Sequence, residues 1–363
     1  MRTKLILSLI FSILLTGCPK EEEPCLNCPP TDGNDSLSIT EIFITQGIHP
    51  AISPDGKKLA FSINGDIYIC DTTGLMAKQI TSGIEYDALP QWHPSGSILG
   101  FVRTNQPYSN TAVLCSVDTN GTNSSILIQN YHIADSLLLI NSVSAPIWNW
   151  SPDGNKLAFL NIVNRITYLR IFSYPNPSEI KSIQVYDSRF YATWAGFSFS
   201  PSGNQILFTK MSDEYVTYLF KSSTNSDTTI QQLSAKWDVI YPSWSNLENK
   251  ISFRYPRFFS ILSDNGQVIV EANENVYRNP KWSPNGKYIL SEDMMRVGGA
   301  NGYVFSRLFL TTSDLQKSIA LTTTGDWDVV FVHNYFFTWN PDSNIVYYQK
   351  YNRIYKITFH YNY

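Results

Sequence analysis

The chain has 363 residues and a formal net charge of −3, from 27 lysines and arginines against 30 acids. That near balance excludes the basic footprint of a nucleic-acid binder. Charged residues are only 16% of the chain and aromatics 14%, and with abundant Ser, Thr, Asn, Gly and Pro they describe an all-β protein rich in turns.

Arg2 and Lys4 lead into an apolar run from Leu5 to Leu15, and Leu15-Thr16-Gly17-Cys18 closes it. The run is too short to span a bilayer as a helix and reads as an export signal over residues 1–17. Its last four residues resemble the bacterial lipobox, which implies cleavage before Cys18 and lipidation of that cysteine. Residues 18–37 are Glu-, Pro- and Gly-rich and read as a flexible tether. Pro19 stands where the best-known inner-membrane retention signal has aspartate. The expected place is therefore the bacterial cell envelope, on the outer membrane, facing the periplasm or the surface. Lys20-Glu21-Glu22-Glu23 resembles the surface-export signal of Bacteroidetes lipoproteins, and equally reads as a solvated linker. Cys25 and Cys28 form one C-x-x-C with no second pair, a small disulfide loop or free thiols rather than a zinc site. Cys70 and Cys115 sit in apolar strand patterns and are expected to be buried, inert thiols.

From residue 38 to 363 one unit recurs. Ser53-Pro54-Asp55-Gly56 runs into Lys58-Leu59-Ala60-Phe61, and Trp92-His93-Pro94-Ser95-Gly96 into Leu99-Gly100-Phe101. Further copies start at Trp150-Ser151-Pro152-Asp153-Gly154, Ser200-Pro201-Ser202-Gly203, Trp282-Ser283-Pro284-Asn285-Gly286 and Trp339-Asn340-Pro341-Asp342. A fifth in chain order, Trp244-Ser245-Asn246-Leu247, lacks both proline and glycine. Seven copies at roughly 40- to 60-residue intervals match the length of a four-stranded propeller blade. In the turn, proline presets φ, serine and aspartate bind nearby backbone, and glycine takes the left-handed conformation. The preceding tryptophan is an apolar anchor between blades.

These residues resemble the TolB-type (WD40-like) β-propeller repeat, over nearly the whole chain after the tether. The resemblance implies a propeller and says little about activity, because unrelated proteins share the repeat. TolB proteins also carry an N-terminal α/β domain, where this chain has the tether. Seven blades are predicted rather than six or eight. The last copy lacks an outer strand, and Ile39–Thr45 has no blade of its own, so that N-terminal segment is predicted to complete blade seven.

No G-x-S-x-G, H-E-x-x-H, Walker or dinucleotide fingerprint occurs. The candidate site is the face carrying the loops between blades, with Glu85, Asp87, Arg189, Tyr191, Trp237, Asp238, Tyr277, Arg278, Trp327 and Asp328. His49 and His333 precede the first and last copies and would approach each other on closure, whereas His93 fills the serine position of a turn, a structural place. The two longest middle loops are predicted at 103–110 and 292–302. Aromatics beside charges suit a protein, peptide or glycan ligand, or else simply plug the channel. Repeated acids also permit a calcium ion, with no other cofactor implied. A non-catalytic, lipid-anchored binding protein is the leading expectation. The enzymatic alternative is a metal-dependent polysaccharide lyase such as oligogalacturonate lyase or another envelope hydrolase; no histidine motif carries over from those lyases.

Overall fold

The repeated turn builds each blade from its tip. Ser53 Oγ accepts Lys58 N–H at 2.9 Å and donates to Asp55 Oδ1 at 2.6 Å, while Gly56, at φ 71°, donates its N–H to Ser53 O. The same clasp holds Ser151 with Asp153 and Ser283 with Asn285. In the degenerate copy the backbone turn survives, with Ser245 N–H on Lys250 O, but the buried Ser245 hydroxyl has no partner. A paired hydroxyl contributes about 1 kcal/mol net, whereas an unpaired buried one costs about 1–3 kcal/mol. Ser151→Ala is therefore expected to lower stability by about 1 kcal/mol, and Ser245→Ala to leave it unchanged or raised, in urea titrations of each variant.

The computed structural model describes residues 36–105, 112–128, 147–187, 196–247, 249–273, 278–297, 303–322 and 336–362. Among them lie seven four-stranded antiparallel sheets, the blades of a propeller. Six sheets use four consecutive strands. The seventh runs Ser36–Gln46, Arg353–Asn362, Ile345–Lys350, Phe337–Trp339 from its outer edge to the axis. The N-terminal strand thus closes the ring, as predicted, and it begins at Ser36 rather than Ile39. Ten Cα pairs join it to the last strand, from Ser36–Asn362 to Gln46–Arg353. Glu41 also accepts the Tyr348 hydroxyl.

The core lies between blades. Val102 and Leu114 of blade two pack with Trp148, Trp150, Leu157 and Phe159 of blade three, and similar clusters fill the other joints. The repeat tryptophan does more than pack. Trp92, Trp282 and Trp339 each donate the indole N–H to the inner strand of the preceding blade, at Ala51 O, Ser243 O and Lys281 O. Where serine is replaced at the head of the turn, the larger side chain reaches forward instead. His93 Nε2 lies 2.9 Å from Gly154 O, and Asn340 Nδ2 lies 3.2 Å from Gly56 O across the seam of the ring. A carbonyl only accepts, so His93 carries its proton on Nε2, and its place is structural as expected. Glycine is needed at 154 for two reasons: its φ is 73°, and a Cβ there would stand 2.7 Å from the His93 ring.

Cys70 and Cys115 are buried free thiols, which burial pushes up to about 12 and about 11. One expectation fails. Most of the loop predicted at 292–302 is strand, because Tyr288–Val297 and Tyr303–Thr312 pair as one long hairpin out to Val297–Tyr303. Its β-branched and aromatic residues carry the ladder on to Val297 and Tyr303, well past the predicted start of the loop at 292.

Candidate functional site

Each blade contributes its inner strand to the axis, and strand alternation decides what that strand shows there. The residue just before the anchor position is half-buried in all seven blades: Ala51, Gln91, Asn149, Ser198, Ser243, Lys281 and Thr338. Its neighbours on either side, such as Trp148 and Trp150, turn into the blade joints. The seven half-buried residues line two adjoining cavities. One, of about 320 Å³, lies against blades three to seven and the other, of about 110 Å³, against blades one, two, six and seven. Lys281 and Thr338 line both.

A proline signature shapes four of these strands. His49-Pro50, Leu89-Pro90, Tyr241-Pro242 and Asn279-Pro280 each stand at a bulge, with the first residue at φ 49–57°. Proline has no N–H for the ladder, so the strand bends there. Blades three, four and seven carry Trp148, Phe197 and Phe337 in the proline's place. The signal was available in the sequence as a proline two residues before the anchor.

Lys281 is the one charged residue lining the cavities among the described residues. Its Nζ donates to Phe337 O at 2.7 Å and lies 4.6 Å from the centroid of the Phe337 ring. Burial pulls it down to about 8, with buried Glu292 acting in the opposite direction. Glu292 lies outside the cavity lining, where its Oε1 accepts Asn279 Nδ2 at 3.4 Å. His49 borders the smaller cavity. It is 3% exposed, edge-on to Phe336, and burial pulls it down to about 3, so its imidazole is neutral.

The predicted face residues divide. Asp87 lies in the inner strand Tyr86–Trp92, 2% exposed, in a two-point pair with Arg103: Nε to Oδ1 at 2.7 Å and Nη2 to Oδ2 at 2.8 Å. It fixes the blade rather than facing a ligand. Glu85 and Asp238 are half-buried, and Trp237 is 56% exposed. Arg278 opens its inner strand, with its side chain outside the described atoms. Arg189, Tyr191, Tyr277, Trp327, Asp328, His333 and Cys18 lie outside the described residues. Among the described residues the cavity lining offers a lysine, amides and hydroxyls without a carboxylate, so these residues do not supply the oxygen set a calcium ion takes.

No family model and no curated protein matches the chain. Solved structures do. An oligogalacturonate lyase from Vibrio parahaemolyticus superposes with a TM-score of 0.61 at 11% identity, over 89% of this chain and 97% of that one. The likeness is one of fold. TolB from Acinetobacter baumannii gives 0.49 at 14% identity, over 78% of this chain and 64% of that one, so this chain spans under two thirds of its length. A protein assigned as TolB from Agrobacterium tumefaciens gives 0.46 at 13%, over 90% and 99%. The propeller itself rests on the seven sheets.

Proposed function

We propose that the chain is a non-catalytic binding protein of the bacterial cell envelope, tethered through a lipidated Cys18, whose propeller receives a protein, peptide or glycan at its axis. The observation that carries this reading is the cavity at the centre of the inner strands. Its 320 Å³ falls within the size range of a small-molecule site, and its walls combine Trp244, Trp282 and Trp339 with a few polar groups. Exposed Trp237, beside Asp238, adds an aromatic contact on a segment between blades four and five.

The test fills the cavity. Thr338 lines both compartments and makes no hydrogen bond through its side chain among the described residues, so Thr338→Trp removes space without breaking a tie. Ligand retained from envelope extract by immobilised wild-type protein is expected to be lost by the variant, with its melting temperature close to wild type. Equal retention by a folded Thr338→Trp variant would refute an axial site.

A further inference from the structure

We propose that the axial cavity is a receptor for a small organic carboxylate, whose charge is met by Lys281. The inference deepens the binding function above and rests on it. Four observations converge. Among the described residues the lining consists of neutral groups apart from one ammonium, so the one charge facing the space is positive. The ammonium's direct contacts among the described residues are Phe337 O and the Phe337 ring, neither of which carries a charge, while buried Glu292 acts on it from outside the lining. The Asn149 amide and the Thr338 hydroxyl, on the same lining, have no hydrogen-bond partner among the described residues. Trp244, 5% exposed, lines the space too, and its buried indole N–H is unpartnered. No carboxylate among the described residues touches the ammonium within the lining, and a ligand carboxylate would give it a direct, charge-assisted partner there. One ammonium matches a monoanion better than a dianion, and the indole walls suit an organic body better than a bare ion.

Among the described residues the charged and titratable groups around Lys281 are few. Glu292 acts from the second strand of the same blade, and His49, across the smaller cavity, is neutral. Lys281 carries the pH dependence. Its folded value, about 8, lies below the ordinary 10.5, so the protein without ligand gains stability as pH rises through that window. Carboxylate binding needs the protonated form and runs the other way, weakening about tenfold per pH unit above the midpoint.

The experiment follows Lys281 directly. Reductive methylation at Lys281 is measured by mass spectrometry across pH 6–11 on the whole protein, alone and with each probe. Glucuronate is set against glucose, and N-acetylalanine against its amide, so that a sugar acid and an amino-acid carboxylate are told apart; inorganic phosphate is a separate arm. The expected result is a midpoint near 8 without ligand, raised by at least one carboxylate and by neither neutral analogue. In calorimetry, Lys281→Met and Lys281→Gln bind that carboxylate roughly ten- to a hundredfold more weakly while melting cooperatively. Unweakened binding by both variants, or a midpoint moved by phosphate and by no carboxylate, overturns the proposal. The two readings fail separately. An envelope ligand kept by Lys281→Met and lost by Thr338→Trp preserves the axial site and removes the carboxylate.

Discussion

A chain starting at Gly47, without the closing strand, is expected not to form a stable monomer. The strand contributes a ladder of ten residue pairs and the buried Ile44. At about 1 kcal/mol net per hydrogen bond its loss is on the order of 5–10 kcal/mol, comparable to the whole stability of an ordinary domain. It also leaves Arg353–Asn362 as a bare edge, the feature that templates strand-to-strand aggregation. Size-exclusion chromatography should show oligomers or no soluble protein. A synthetic peptide covering residues 36–46, added during refolding, should restore the monomer; a stable monomer without it would show that the other six blades hold the ring.

Arg103→Met is expected to lower stability by about 3 kcal/mol or more, because it strands Asp87 as an unpaired charge that is 2% exposed. Asp87→Asn with Arg103→Met together should recover much of that loss, since the uncompensated charge disappears. A thermodynamic cycle of the two single variants and the double variant, measured by denaturant unfolding, checks the coupling. Additive losses would mean that the two-point contact is worth little.

The contrast between these two predictions shows what the chain discloses before it folds. Closure was legible because it is an accounting problem: the last copy runs short by a strand and the first residues offer one. The blade number was legible because the turn and its flanking strands recur in every copy, and even the copy at Ser245 keeps its spacing. Asp87 was misjudged for a physical reason. Its neighbours Glu85 and Tyr86 read as loop, and only the pairing of Tyr86–Trp92 with Ile98–Thr104 turns the carboxylate toward Arg103. Lys281 was passed over because a single lysine in a strand looks like any solvated charge. Its meaning comes from six other blades that place Asn, Gln, Ser, Thr or Ala at the same level, a comparison that needs the inner-strand register. The hairpin beyond Glu292 was missed because the run from 292 to 297 shows no alternation of apolar and polar residues, and only cross-strand pairing carries the ladder on.

The strand that shuts the ring has a consequence for biogenesis. Glu41 meets Tyr348, a partner 307 residues later in the chain, so the first strand of the ring must wait for nearly the last. A truncated product that stops just before Arg353 carries an unmated N-terminal strand and six blades that cannot join ends. The latch therefore works as a check on completeness. Only a chain that reaches Arg353–Asn362 can mate its first strand and close the ring, and an interrupted one leaves that strand unpaired.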